Sequence, residues 1–412
     1  MALAVFLFTY FFLVGLKLPF IKLDRTGAAI VGAALMVGLG EVKLSTIGAA
    51  IDGDTLVLLL GMMLLCAYLR RAAFFRASAY YVLRLSRTPR GLLMAVVAIS
   101  GVLSAFLVND TVCLMLTPLV LMLVKHAELP PVPYLFALCM SSNAGSAATF
   151  TGNPQNMIIG VASRMPYGHF AALMALPALV SMVIVYFTIA WFFRDELREK
   201  AIHPEGDPPP VDRRLLTICA IAMVGIFAAF FAGLPMSWSA FIGAALVMLV
   251  SGVPPEKQYK DVDYSLLLFF ACLFIVVHGV NEEGWATKMH ELFAPLIKGG
   301  PVRETFGFTA LSLTASNLFS NVPFVMLART WVPRMVDPEL GWQVLALSST
   351  LAGNLTLIGS VANLIVFEGA KNDVKVTFTQ YLRVGAPATV LSLVAGLGLL
   401  LAERQVLALF AN

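Results

Sequence analysis

Apolar runs close to the length of a bilayer crossing recur along this chain: Ala2 to Leu16, Gly27 to Gly40, Thr55 to Leu69, Phe170 to Phe193, Leu215 to Ala232, Phe241 to Ser251, Ser265 to Val280 and Ala386 to Leu401. A spanning helix needs about 20 mainly apolar residues, so the shorter runs must extend into flanking polar residues. With 59% of residues hydrophobic and only 13% charged, there is more apolar side chain than a water-soluble core of 412 residues can hide. Lipid is therefore the solvent for most of the chain. A transmembrane barrel would alternate polar and apolar residues over ten-residue strands, and no such alternation is seen. The expected fold class is an all-α polytopic membrane protein.

The amino-terminal run lacks the basic start and small-residue cleavage site of a secretory signal, and reads as a retained span. The net charge of +4 is small and points to no partner. The cysteines Cys66, Cys113, Cys139, Cys219 and Cys272 stand singly in apolar runs, without a CxxC pair or a histidine at ligand spacing, and read as small buried hydrophobes. No metal site is expected. No nucleophile and base, phosphate loop or ring-forming filter motif stands out either, which argues against an enzyme or a channel.

Lysine and arginine in short loops mark the cytoplasmic side. Lys17, Lys22 and Arg25 follow the first run; Arg70, Arg71, Arg76, Arg84, Arg87 and Arg90 follow the third; Arg194, Arg198, Lys200, Arg213 and Arg214 lie in a polar linker at residues 194–214, which also holds Pro208, Pro209 and Pro210. The loop after the second run carries Glu41, Lys43, Asp52 and Asp54. An amino terminus outside the cell satisfies all of these. The linker divides the chain almost in half, into repeats at 1–193 and 215–412. If residues 91–125 enter the membrane and return, the first half has five crossings, and an odd count inverts the second half, as in many secondary transporters.

Polar interruptions recur in the two halves. Ser104 to Asn109, Asp110 and Thr111 matches Ser316, Asn317, Ser320 and Asn321 with Val322 and Pro323. Ser141, Ser142, Asn143, Gly145, Ser146, Thr149, Gly152, Asn153, Pro154 and Asn156 line up with Ser348, Ser349, Thr350, Gly353, Asn354, Thr356, Gly359, Ser360 and Asn363. Irregular backbone is tolerated at bilayer depth only where it is buried in protein or lines a wet cavity. These breaks are therefore the expected site: glycines and Pro154 for the turns, Asn, Ser and Thr side chains and freed carbonyls for a small cation or oxyacid, and helix N-termini for partial positive charge. The expected elements are re-entrant hairpins at about 91–125 and 303–338 and discontinuous helices at about 133–164 and 343–369.

At these residues the chain resembles the ion transporter superfamily that includes ArsB-type arsenite/antimonite permeases, NhaD-type sodium/proton antiporters, citrate and dicarboxylate/sulfate carriers and predicted bacterial anion permeases. Asn109-Asp110-Thr111 with Leu116-Thr117-Pro118 is similar to the Ala-Asn-Asp and Leu-Thr-Pro elements of arsenite permeases. The Ser-Asn-Thr signature of dicarboxylate carriers is absent at both hairpin tips. The resemblance implies two hairpins meeting two broken helices round one central site in a bacterial inner membrane, with both termini outside. It implies a small inorganic solute, a proton or sodium ion for coupling, no other cofactor and no nucleic acid. A homodimer and, for an arsenite-type protein, an ATPase subunit are the partners it suggests.

Asp110 is the carboxylate expected to couple transport, because an unpaired mid-membrane aspartate must titrate, bind a cation or find a partner, and its counterpart is Val322. A helix cap is the simpler role open to it. His278, Glu282, Glu283 and Glu368 read as interfacial, and Asp52 and Asp54 as caps of the third span. The leading expectation is proton-linked efflux of arsenite, antimonite or a related small anion. Sodium/proton antiport and a sodium-coupled anion, dicarboxylate or sulfate carrier are the alternatives.

Overall fold

Many of the helices begin where the sequence supplies an aspartate cap. Asp24, Asp52, Asp212, Asp263 and Asp337 each accept a hydrogen bond from the backbone N–H three residues on, at 2.8 to 3.1 Å, which satisfies one of the N–H groups that a helix start leaves free. A computed structural model describes residues 1–13, 23–84, 86–198, 201, 208–297 and 299–410. Lys17, Lys22 and Lys200, and the last part of the first expected run, lie outside the described residues.

The first ten helices are α1 (Ala2–Leu13), α2 (Arg25–Gly38), α3 (Ile47–Ala50), α4 (Gly53–Arg71), α5 (Phe74–Arg84), α6 (Pro89–Phe106), α7 (Asn109–His126), α8 (Val132–Ser146), α9 (Pro154–Ser163) and α10 (Tyr167–Phe192). Ten more follow: α11 (Arg213–Phe231), α12 (Met236–Val250), α13 (Glu256–Tyr259), α14 (Tyr264–Glu282), α15 (Trp285–Ile297), α16 (Pro301–Phe319), α17 (Asn321–Ala328), α18 (Pro338–Ala352), α19 (Val361–Gly369) and α20 (Phe378–Phe410). Among the described residues there is no strand. Helices α4, α6, α10, α11, α14 and α20 are long and apolar enough to cross a bilayer, by length and composition, and α1, α2 and α12 are shorter apolar helices. Arg213 and Arg214, read above as linker charges, open α11.

Each helix of the first set has a counterpart ten places on. Arg25 and Met236, Gly53 and Tyr264, Phe74 and Trp285, and Tyr167 and Phe378 are helix starts 211 residues apart. The side-chain bonds follow the same rule: Ser237 Oγ donates to Asp54 Oδ1 at 2.6 Å, while the hydroxyls of Thr26 and Ser265, which occupy the matching positions, meet at 2.9 Å. Accordingly α4 packs on α12 and α14 on α2, each pair joining one half to the other, and α6 packs on α8 as α16 does on α18. Glycine permits the closest of these approaches. A Cβ at Gly61 of α4 would lie 2.7 Å from the backbone nitrogen of Phe241 in α12, and one at Gly145 of α8 would lie 2.1 Å from the Gly101 carbonyl of α6.

The correspondence has one conspicuous gap. The arm α7 that returns from the first break has 18 residues, whereas α17 has 8. Helix α17 ends at Ala328, just before Arg329, whose side chain pairs with Asp52 at 3.2 Å, and a 3-10 turn at Val332–Arg334 completes the path to α18. Residues 303–338, expected as one hairpin, are thus a long helix, a short one and an irregular return. The expected hairpin at 91–125 is α6 and α7, which pack together about a break at Leu107 and Val108, and α6 is itself long enough to cross.

Candidate functional site

Six helix N-termini meet at one cavity of about 170 Å³. Arg25 and Thr26 come from the start of α2, Asn109 and Asp110 from α7, Gln155 from α9, Asp263 and Ser265 from α14, Ser320 and Asn321 from α17, and Ser360 from the cap of α19; Leu13, Phe269 and Phe270 supply an apolar wall. Peptide dipoles give each start partial positive charge, concentrated on N–H groups without an intrahelical partner. Side chains cap α2, α9, α14 and α19. The exceptions are α7 and α17, whose preceding residues Val108 and Ser320 make no capping bond. Asp110, for which a capping role was open, sits in the first turn of α7 and is not its cap.

Behind this wall the two broken helices are tied together by asparagine. Asn143, 2% exposed, donates from Nδ2 to Asn354 Oδ1 at 2.9 Å and Asn363 Oδ1 at 3.2 Å. Its Oδ1 accepts from Asn109 Nδ2 at 3.2 Å and from Ser360 Oγ at 3.1 Å. The matching contact runs the other way across the halves: Asn153, the counterpart of Ser360, donates to Thr350 Oγ1, the counterpart of Asn143, at 3.2 Å. Asn354 also donates to the Met140 carbonyl at 3.0 Å.

The freed carbonyls, expected as possible ligands for a cation, are taken. Asn156 Nδ2 donates to the Ser146 and Thr149 carbonyls, both at 3.1 Å, and Asn363 Nδ2 repeats this on Gly353 and Thr356 at 2.6 and 3.0 Å. A buried carbonyl without a partner costs several kcal/mol in an apolar surround, so these two asparagines make the interrupted backbone tolerable. The glycines lie in the turns of the two breaks, Gly152 in a 3-10 turn at Phe150–Gly152 and Gly353 just past α18. Gly152, Gly353 and Gly359 are not among the positive-φ residues. They are small because space is short: a Cβ on Gly152 would lie 2.2 Å from the Ser146 carbonyl, and one on Gly359 would lie 2.9 Å from Asn317 Oδ1. At the second hairpin break it is Ser320 that holds a positive φ, 76.

Of the residues singled out in the sequence, Asn109, Asp110, Ser320, Asn321 and Ser360 line the cavity, and Thr111 lines an adjoining one of about 110 Å³. The others support from behind. Ser142 meets Ser104 at 2.7 Å, Ser146 accepts from Asn153 at 2.9 Å, Thr149 donates to the Ala105 carbonyl, and Asn317 accepts from Thr356 at 2.8 Å. Gly145 sits at the crossing with α6, and Ser316 is buried with a hydroxyl that has no partner. Two further orphans are informative. Oδ1 of Asn109 and Oδ1 of Asn321, at matching positions, are buried without a hydrogen bond on side chains that face the cavity.

Arg25, Thr26, Gln155, Asp263 and Ser265 were not singled out. Arg25 reads as a topogenic loop charge, and Asp263 as one more cap, which it is; the signal that unites them is a charged or hydroxylic residue beside the cap of an apolar run, in Asp24-Arg25-Thr26 and Asp263-Tyr264-Ser265. His278, Glu282, Glu283 and Glu368 lie outside the cavity lining; Glu283 bonds the Trp285 indole at 2.8 Å, and Glu368 pairs with Lys371 at 2.6 Å. Cys66, Cys113, Cys139 and Cys219 are buried as expected, and Cys272 is partly exposed.

The adjoining cavity also touches Asp110, Asp263, Cys66 and an ion pair of Arg70 with Asp261 at 2.9 Å. That pair lies in turn on the wall of an outer cavity of about 520 Å³ with Arg71, Arg76 and Lys257. Successive cavities share residues, Arg70 and Asp261 between the outer two and Asp110 and Asp263 between the inner two.

Residues 11–352 match the family model described as Citrate transporter. The sequence is 31% identical to the silicon efflux transporter LSI3 of Oryza sativa subsp. japonica, over 93% of this chain and 94% of that protein. It is 26% identical to the putative transporter arsB of Dictyostelium discoideum, over 91% and 87%. The fold is similar to that of the YdaH transporter of Alcanivorax borkumensis, with a TM-score of 0.57 and 15% identity over 97% of both chains. The all-α, polytopic fold class read from the apolar runs agrees with that likeness.

Proposed function

Because this chain belongs to the citrate transporter family, and is thereby an integral membrane transporter, we propose that it exports arsenite, antimonite or a related small oxyacid in exchange for protons by alternating access. The observation that carries this reading is the pairing of donors and acceptors in one small space. The uncapped starts of α7 and α17 offer N–H groups, and beside them stand the orphaned Oδ1 atoms of Asn109 and Asn321. A neutral hydroxy acid presents O–H donors and oxygen acceptors together, and would answer both. The charges on the wall are one guanidinium, Arg25, against two carboxylates, Asp110 and Asp263, which leaves no positive surplus for a multiply charged anion such as citrate. One relative is named for silicon efflux and another arsB; silicon, like trivalent arsenic, travels in water as a neutral hydroxy acid.

Exchange follows from the carboxylate. Ionised Asp110 accepts an O–H from the solute in a charge-assisted bond, whereas the protonated acid is a weaker acceptor and itself a donor, so proton and solute oppose each other at one site. Such opposition is what an exchanger requires. In this reading the halves are inverted repeats in a bacterial inner membrane with both termini outside, α6–α7 and α16–α17 are the re-entrant hairpins, and Asn143 and its partners hold the broken helices in register.

In proteoliposomes, an outward pH gradient should drive arsenite movement, and arsenite should in turn move protons. Asp110→Asn should weaken the coupled flux by about ten- to a hundredfold, the loss of a charged hydrogen bond being worth roughly 1.5–3 kcal/mol. Wild-type vesicles that move neither arsenite nor antimonite would remove the substrate from this reading. A second reading, sodium/proton antiport or a sodium-coupled anion, dicarboxylate or sulfate carrier, draws on the same oxygens, since a carboxylate and two amide oxygens also suit sodium. A sodium pulse that collapses a preset pH gradient without arsenite would favour it.

A further inference from the structure

Two of the charges that line this cavity stand where the molecule departs from its own repeat. Arg25 opens α2, and the residue that opens the matching helix α12 is Met236; Asp110 stands in the first turn of α7, and its match in α17 is Val322. Both charges come from the first half and both line the same 170 Å³ cavity. Among the described residues neither belongs to an ion pair, although the charge of each acts on the other across the space. The carboxylates that could have claimed Arg25 are engaged elsewhere: Asp24 accepts from Gly27 N at 2.8 Å and Asp263 from Leu266 N at 2.9 Å. A scaffold requirement would be expected in both halves. A charge pair added to one half alone belongs to the task.

We propose that Arg25 is the built-in counter-charge of Asp110, a positioning residue that offsets the burial of the exchange carboxylate without clamping it in a salt bridge. The inference rests on the proton-exchange role given to Asp110 above. A direct bidentate pair would hold Asp110 permanently, whereas a guanidinium across a small cavity lends its field and leaves the oxygens free for a proton or a solute. The other charged and titratable groups near Asp110 do not substitute for it. Asp263 carries the same sign as Asp110, the thiols of Cys66 in α4 and Cys113 in α7 bring no positive charge, and the positive charge of Arg70 is matched by Asp261. Arg71, Arg76 and Lys257 lie farther out, round the outer cavity, and Lys125 at the far end of α7 pairs with Asp373 at 2.5 Å. Removing the positive charge must therefore raise the proton affinity of Asp110, and the pH at which exchange is half-maximal must move up with it.

The test uses the full chain in lipid, with the infrared carboxyl band of Asp110 assigned by its loss in Asp110→Asn. Arg25→Gln and Arg25→Met should raise the midpoint of that band by about one pH unit, a tenfold gain in proton affinity, and Arg25→Lys should leave it within about 0.3 unit of wild type. The methionine is the residue that already opens the matching helix, so it fits a helix start. The pH profile of proton-coupled flux should move by the same amount. An unmoved midpoint in both neutral variants overturns the proposal, as does a lysine variant displaced as far as glutamine, which would point to shape rather than charge. Failure of both neutral variants to fold while the lysine variant folds would overturn it too, since the charge would then serve assembly. The band is read without any solute, so a protein that transports no arsenite would sink the substrate reading and leave this comparison standing.

Discussion

At the scale of single residues, the site works by exclusion of alternatives. Ser320 holds φ 76 and ψ 154 at the second hairpin break, a region that glycine occupies freely and other residues reach at a cost of about 1–3 kcal/mol. Ser320→Gly should therefore stabilise the protein by roughly 1 kcal/mol net of the added freedom of the unfolded chain, visible as a higher unfolding temperature in detergent; a lower one would mean that the serine hydroxyl matters more than the backbone. The cysteines have no place on the wall of the central cavity, and Cys66 reaches only the adjoining space. A cysteine-free variant should keep transporting, and its loss of function would bring thiol capture of the solute back. Asp110 and the asparagines were legible as polar residues that a membrane span cannot carry idly. Arg25 was not, because a basic residue after an apolar run looks the same whether it marks a loop or leans over a cavity.

At the scale of elements, caps and close contacts decide where helices begin and how near they come. Burial alone would push the Asp337 carboxyl up, but hydrogen bonds from the Arg404 guanidinium at 2.7 Å and from Leu340 N outweigh it and hold this cap of α18 below the usual carboxylate range. Its folded-state pKa is depressed, so its stabilisation is present above the ordinary aspartate pKa of about 4 and fades as pH falls below it. Asp337→Asn should flatten the part of acid unfolding that falls in that window, and an unchanged acid profile would show that the cap is dispensable. Gly145→Ala should cost about 1–3 kcal/mol by overpacking the crossing of α6 and α8, read as a drop in unfolding temperature; no drop would show that these helices can part. The broken helices α8–α9 and α18–α19 were readable because their polar residues repeat in register. The shortness of α17 was not, since Asn321 to Ala328 is as apolar as α7 and nothing in those residues marks an early end.

At the scale of the molecule, the halves share a plan and differ in charge. The plan shows in helix starts that recur at a near-constant interval, and in hydrogen bonds that cross from Asn143 to Ser360 and from Asn153 to Thr350. Most of that plan is visible in the sequence, because lipid demands apolar length and the repeat writes each break twice. What the sequence hides is convergence: that starts as distant as Arg25 and Val361 open on one space depends on which helices lie side by side. At Gly61 against Phe241, and at Gly145 against Gly101, the helices come too near for even a methyl group to stand between them. Helix α4 must then travel with α12, and α6 with α8, as welded plates. A rearrangement that carries a solute from one side to the other is then expected at the seams between such plates.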